Sequence, residues 1–242
     1  MIIVTGGAGL IGSNLIKELN NRGCTNILCV DDLSCGKKSL NLAGCYIDDY
    51  VDKRMFIEMV KEDNTKLWRD VTVIYHLGAC SATTEWDGRY LMQNNYEYSK
   101  IVADFAHHFG SVMVYASSAS VYGLGKRGFV ENECCESPIN MYAYSKWQFD
   151  MYVRTHLIKR QPIVGLRYFN VYGYGESHKG AMASTIMHFY NQIVSTNVIR
   201  VFGEGEGYGP GKHSRDFVYI DDVVDITLWF GARTVSYTHL TL

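Results

Sequence analysis

The sequence predicts an α/β fold, a doubly wound parallel Rossmann sheet followed by a smaller, truncated C-terminal substrate-binding part. Three observations predict it. Short apolar runs alternate with amphipathic helical stretches through residues 1–170, the first run stops at a glycine turn, and the second ends in an acidic pair.

Ile2, Ile3, Val4 and Thr5 form a β-branched run that ends at Gly6-Gly7-Ala8-Gly9-Leu10-Ile11-Gly12, after which Leu15, Ile16 and Leu19 recur at helical spacing. Strand, tight turn and helix are the context that Gly7-x-Gly9-x-x-Gly12 requires. One glycine makes the turn, the next lets backbone approach a pyrophosphate, and the third lets helix and strand pack closely. The helix start adds free N–H groups and a positive dipole end for phosphates. Asn26-Ile27-Leu28-Cys29-Val30 then ends in Asp31-Asp32, about 20 residues past the glycines, where an acid can hold the adenosine ribose. A glycine turn that binds nothing is the plainer alternative. Strand, helix and acid together argue against it, so the 6–12 turn with Asp31 and Asp32 is expected to hold a dinucleotide.

At 242 residues, 47% hydrophobic and with a formal charge of −2, the chain can bury a large core as one domain or one and a half. Strand–helix alternation sets a dinucleotide-binding part at 1–170 apart from a smaller substrate-binding part at 171–233, with 234–242 left as a tail. No Lys/Arg cluster marks a nucleic-acid face, and the small net charge steers toward neither polyanions nor membranes. The seven cysteines show no C-x-x-C pairing; Cys24, Cys29 and Cys80 lie in or beside apolar segments. They are expected as free or buried thiols of a reducing compartment, with no metal site. The chain opens on its first strand and has no apolar run of membrane-spanning length, so a cytoplasmic enzyme is expected.

Lys37 and Lys38, in the loop after Asp32, can meet a 2′-phosphate or stay solvated, while Asp32 would repel one. Residues 52–63 have the spacing of a surface helix with Met55, Phe56, Met59 and Val60 on one face. The strand Val71-Thr72-Val73-Ile74-Tyr75-His76 runs into Leu77-Gly78-Ala79-Cys80-Ser81, a small-residue turn at the carboxyl edge of the sheet, where doubly wound folds bind ligands. A polar loop, Thr83-Thr84-Glu85-Trp86-Asp87, leads to a helix over 91–109 carrying Asn94 and Asn95. Val112-Met113-Val114-Tyr115 delivers a serine turn, Ala116-Ser117-Ser118-Ala119-Ser120, whose serines can be simple turn formers.

Tyr142 and Lys146 then open a helix reaching about 156 and stand four residues apart, on one face. An ammonium beside a phenol favours the phenolate and draws the tyrosine pKa toward working pH. With a serine hydroxyl holding a substrate oxygen, this is a set for alcohol oxidation. Alone the pair is a weak signal. Joined to the glycine turn and the serine turn it argues for Tyr142, Lys146 and Ser118 as catalytic.

Gly7-x-Gly9-x-x-Gly12, Ser118, Tyr142 and Lys146 together resemble the extended short-chain dehydrogenase/reductase superfamily of nucleotide-sugar enzymes, as do Arg167-Tyr168-Phe169-Asn170-Val171-Tyr172-Gly173 and Arg215-Asp216-Phe217-Val218-Tyr219. Cys80 to Gly88, Asn94-Asn95-Tyr96-x-Tyr98-Ser99-Lys100 and His178-Lys179-Gly180-Ala181-Met182-Ala183-Ser184 narrow the resemblance to the ADP-L-glycero-D-manno-heptose 6-epimerase family, over about residues 1–230. The resemblance implies NADP-dependent inversion at C6″ of an ADP-heptose nucleotide sugar, by transient oxidation and re-reduction, in the pathway supplying heptose to lipopolysaccharide. It implies Lys179 as a second acid/base opposite Tyr142. It also implies Lys38, Lys53, Leu77, Gly78, Ala79, Cys80, Ser81, Asn94 and Val171 at the cofactor, and Asn170, Ala181, His188, Phe202, Gly203, Glu204, Gly205 and Arg215 at the substrate. A homo-oligomer is implied as well. By residue pattern, the face of helix 91–109 with Tyr98, Val102, Phe105 and Ala106 and the helix 142–157 offer surfaces for it, though core packing explains the same apolar residues. By residue type alone, Lys179 in a glycine-rich loop is as readily solvated, and Arg215 as readily bridges Asp216 or Asp221.

Four departures from that family stand out. Asp31-Asp32 replaces the Asp-Asn of the family pattern, which leaves NAD open beside NADP. Ala181 stands at a substrate-binding serine, the loop 204–214 is longer and richer in glycine, and 234–242 resembles translated sequencing-adapter read-through, so the match is expected to end near Arg233. A UDP-hexose 4-epimerase would share Ser118, Tyr142 and Lys146 without needing Lys179. A 4,6-dehydratase would need an Asp-Glu pair that the serine turn lacks, and a non-catalytic dinucleotide sensor would have no use for the Tyr-Lys pair.

Overall fold

The computed structural model describes the chain except residues 63–64, 158–161, 206, 234–236 and 242, and only the backbone at 65–66 and 237–241. β1 (Ile2–Thr5), β2 (Ile27–Asp31) and β3 (Asp49–Asp52) run outward in one direction, and β4 (Val73–His76), β5 (Val112–Ser118) and β6 (Ile163–Tyr168) run outward in the other. All pairings are parallel and the order is β3-β2-β1-β4-β5-β6, with a last strand over Tyr237–Thr241 beside β6. The strand order reverses between β1 and β4. Their carboxyl ends therefore open a crevice, the ligand-binding place of this topology.

Helices cover both faces because each sheet face is apolar. α1 (Leu10–Asn21) buries Leu15 and Ile16 on one face, beside Val4, Val114 and Leu166. On the other face α2 (Lys53–Lys61), α3 (Tyr98–Phe109) and α4 (Met141–Tyr152) insert Phe56, Phe105 and Phe149. There Phe56, Trp68 and Phe105 meet edge to face, with centroids 5.2–6.0 Å apart. The apolar stripe of α2 is narrower than its sequence suggests. Phe56 is buried and Met59 and Val60 pack beside it, whereas Met55 is 62% exposed, one residue and so about 100° around from Phe56.

Residues 88–109 form one helix with a wide-turned stretch at Met92–Glu97. Across that stretch Asn94 faces the crevice while its neighbour Asn95 is fully buried. After β6 the chain leaves the sheet. β7 (Asn170–Tyr172) pairs in parallel with β8 (Phe217–Tyr219), and α5 (Thr185–Thr196) lies between them in sequence. α6 (Ile220–Gly231) then returns to the α1 face, where Ile220, Val223 and Leu228 are buried. Among the described residues no helix is long and apolar enough to cross a membrane.

Candidate active site

The glycine turn is built by close contacts that only glycine permits. Gly6 has φ +70°, and a Cβ there would lie 2.6 Å from the Gly78 nitrogen of the β4 turn; a Cβ on Gly12 would lie 2.2 Å from the Gly6 carbonyl oxygen. The turns after β1 and β4 are thus pressed together, and α1 begins directly against the first. Thr5 and His76 reinforce the junction. Thr5 Oγ1 accepts from the Gly78 N–H at 3.1 Å and bonds His76 Nδ1 at 2.8 Å, while His76 Nε2 bonds Ser99 Oγ at 2.8 Å. Burial pulls the His76 pKa down to about 3, so the ring is a neutral strut.

From this junction a cavity of about 1110 Å³ runs over the carboxyl edge of the sheet. Gly6, Gly9, Leu10, Ile11 and Gly12 line one end, with Asp31, Asp32, Lys38 and Lys53 at its corner. Leu77 to Ser81, Asn94 and Val171 line its middle and Ser118, Tyr142 and Lys146, at the end of β5 and the start of α4, its far part, while Lys179 lines it from the turn that follows β7. Asn170, Ala181, Phe202, Gly203, Glu204 and Arg215 also reach the wall. Gly7, His188 and Gly205 do not. Gly7 is turned toward Cys29, His188 Nε2 bonds Ala181 O at 3.3 Å, and Gly205 exchanges backbone hydrogen bonds with Tyr208.

The acidic corner differs from two free carboxylates. Asp31, 4% exposed, accepts from the Ala8 N–H at 2.7 Å, the Asp32 N–H at 2.6 Å and Lys38 Nζ at 2.7 Å. Asp32 pairs with Lys53 at 3.0 Å, and Lys53 also donates to Asn94 Oδ1 at 3.2 Å. Hydrogen bonds from Ser34, then Lys53, hold the Asp32 carboxyl well below the usual carboxylate range. Two acids and two lysines thus balance in charge. A glycine cradle without room for Cβ atoms, a helix start and this ribose-sized polar corner fit a dinucleotide.

At the far part, α4 meets the end of β5. Asn140 caps α4 by accepting from the Ala143 N–H at 2.8 Å, which sets the helix phase so that Tyr142 and Lys146 both face inward. Ser118 ends β5, accepts from the Ser120 N–H and shares a short hydrogen bond with Ser120 Oγ. Lys146 Nζ donates to the Ala116 carbonyl at 2.8 Å, and burial lowers its pKa to about 8. The expected acidification of Tyr142 is not present in this state. Burial raises its pKa, against a lowering hydrogen bond from Ser118, and Lys146 spends its near hydrogen bond on the backbone. Burial likewise lowers the pKa of Lys179, with the nearby Glu176 charge opposing.

Several supporting groups were assigned no role from the sequence. Asn95 Oδ1 accepts from the Cys80 N–H at 2.8 Å, and its Nδ2 donates to Cys80 O and Ser145 Oγ, each at 3.0 Å, joining the β4 turn to α4. Asp150, one turn beyond Lys146, accepts from Ser117 Oγ at 2.8 Å and Arg167 Nη2 at 3.0 Å, and Glu136 closes the pair with Arg167 and Arg154. Arg167 and Asp150 are wholly buried. They stand 17 residues apart in sequence, and the packing of α4 against β5 and β6 brings them together.

The chain matches the NAD dependent epimerase/dehydratase family over residues 2–239. It is 51% identical to the ADP-L-glycero-D-manno-heptose-6-epimerase of Alkalilimnicola ehrlichii over 231 residues, 95% of this chain and 71% of that protein. It is 49% identical to the ADP-L-glycero-D-manno-heptose-6-epimerase of Thiobacillus denitrificans, over 94% of this chain and 68% of the relative. The Helicobacter pylori ADP-L-glycero-D-manno-heptose-6-epimerase structure superposes with a TM-score of 0.86 at 28% identity, covering 100% of this chain and 76% of that one. The UDP-glucuronic acid 4-epimerase of Bacillus cereus, in complex with NAD, superposes with a TM-score of 0.78 at 25% identity, covering 100% and 77%. With this fold, this glycine cradle and these matches, the chain belongs to the NAD dependent epimerase/dehydratase family.

Proposed function

We propose that the chain is the epimerase of an ADP-heptose, inverting C6″ of ADP-D-glycero-D-manno-heptose by transient oxidation to the ketone and re-reduction, with NADP as cofactor. The observation that carries this reading is that Ser118, Tyr142 and Lys146 and, from a separate loop, Lys179 line one cavity. A bound nicotinamide dinucleotide supplies the acceptor, and later the donor, of the hydride at C6″. Ser118 Oγ holds the substrate oxygen, and Tyr142 takes the hydroxyl proton as the carbinol becomes a ketone. Lys146 stabilises the phenolate once substrate or cofactor draws its ammonium from Ala116 O. Lys179, with a pKa lowered by burial, is suited to exchange the proton when the intermediate presents its other face. After one inversion Tyr142 holds the proton taken from the hydroxyl and Lys179 has given one to the re-formed hydroxyl; exchange with solvent water restores both, and no net redox change results.

The two heptose-epimerase relatives support the substrate assignment. NADP rather than NAD is supported by Lys38 and Lys53, two ammonium groups at the ribose corner. The planar fork of Arg215 on the cavity wall suits the diphosphate of a sugar nucleotide. The test is turnover of ADP-D-glycero-D-manno-heptose with the epimer ratio read by NMR, in the native chain, Tyr142→Phe and Lys179→Ala. Each variant is expected to lose roughly 10²–10⁴-fold. No turnover of the heptose, together with action on a UDP-hexose that survives Lys179→Ala, would sink the proposal. Lys38→Ala and Lys53→Ala should weaken NADP more than NAD; an equal loss for both would remove the 2′-phosphate assignment.

A further inference from the structure

Lys179 sits on a turn whose supports come from the other half of the molecule. Asn41, 5% exposed, points Nδ2 at Ala8 O (2.9 Å) in the glycine turn and at Gly175 O (3.1 Å), with His178 Nδ1 at 3.0 Å. Asn14, on α1, donates from Nδ2 to Leu10 O at 2.8 Å and to Tyr174 O at 2.7 Å. His178 Nδ1 is also 2.9 Å from Gly175 O, so one ring nitrogen serves the same small cluster.

The turn is closed on itself by Glu176, which is 2% exposed. Its carboxylate accepts from the Gly173 N–H at 3.0 Å and from the Ser184 N–H and hydroxyl, and its carbonyl accepts from the Lys179 N–H at 2.9 Å. A loop so closed moves as a unit. Its ties to the dinucleotide half include two asparagine amides, one on Ala8 and one on α1, both beside the cradle for the pyrophosphate.

We propose that Asn41, assisted by Asn14, is a positioning residue that latches the Lys179 turn onto the glycine turn, so that dinucleotide binding and the placement of the second acid/base are coupled. The proposal rests on the two-base reading above for its catalytic consequence. The coupling itself is tested without chemistry. Hydrogen–deuterium exchange is followed with and without NADP⁺ in the native chain, Asn41→Ala and Asn14→Ala.

In the native chain NADP⁺ is expected to slow exchange over residues 174–184 as well as 6–13. Asn41→Ala keeps the protection at 6–13, raises basal exchange at 174–184 by about tenfold, the order expected for losing one net hydrogen bond, and loses the NADP⁺ effect there. Asn14→Ala shows the same pattern more weakly, and decides the matter if Asn41→Ala does not fold. Protection of 6–13 alone in the native chain, no protection of either segment, or coupling that persists in the variants would overturn the latch. In turnover, Asn41→Ala should lower kcat about tenfold with KM nearly unchanged and have no further effect in Lys179→Ala. An additive loss would make Asn41 merely structural. Full activity of Lys179→Ala would remove the two-base reading while the exchange result still decides the coupling.

Discussion

α1 and α5 are both twelve residues long and both carry an apolar stripe, yet they are held in opposite ways. α1 buries six residues, Leu15 and Ile16 completely, between the sheet and α6. α5 buries none, and Tyr190 and Val194 are 61% and 69% exposed. The dinucleotide half therefore rests on two apolar cores, whereas the Lys179 side rests largely on polar staples: Asn14, Asn41, Glu176 and the Ser184 cap. One cavity thus joins a wall with little freedom to a wall drawn from the low-stability end of the structure, where local opening is cheap.

The largest test of this contrast lies under α4. Asp150→Ala leaves Arg167 buried with one partner fewer, and should cost about 3–5 kcal/mol in urea unfolding. A loss under 1 kcal/mol would mean that the buried ion network does not anchor α4. Next, Ile16→Ala should cost about 2–5 kcal/mol, while Val194→Ala on α5 stays within about 0.5 kcal/mol. Equal costs would erase the distinction between the two walls.

Lys146 sharpens it through pH. Its folded pKa, near 8, lies below the unfolded value of 10.5. The folded state thus binds fewer protons between those values, the penalty is fully present below pH 8, and it fades as pH rises toward 10.5. Lys146→Met should accordingly raise unfolding stability at pH 7 by roughly 1–3 kcal/mol, after losing the Ala116 hydrogen bond, and gain less at pH 10. Stability of the native chain falling over that pH window relative to the Met variant would contradict the assignment. The smallest effect is on the staples: Ser184→Ala removes the α5 cap and one Glu176 partner, for about 1 kcal/mol. Its signature is faster local exchange in α5 with the global midpoint nearly unmoved.

The N-terminal fold was legible because its signals are local. β-branched runs, the glycine spacing and the Tyr142–Lys146 helix pair each depend on residues a few positions apart. The return of α6 to the α1 face was less so, since an apolar helix does not say which surface it covers. Among site groups, Lys179 was legible through its resemblance, but Asn41, Asn95 and Asp150 were not. Their partners lie 33–137, 15–50 and 17–35 residues away, and a lone Asn or Asp has no pattern that names a distant carbonyl or guanidinium.

By itself, then, the sequence determined the doubly wound class, the place of the dinucleotide turn and the chemistry available to Ser118, Tyr142 and Lys146, because periodicity and glycine sterics act within a few residues. Tertiary structure alone decided the charge states and the alliances. Burial neutralises His76 and weakens the hold of Lys146 and Lys179 on their protons, Asp31 and Asp32 are taken up by two lysines, and the Lys179 turn is brought to the glycine cradle by Asn41. Desolvation and long-range hydrogen bonding depend on what surrounds a group in space, and that exists only once the chain has folded.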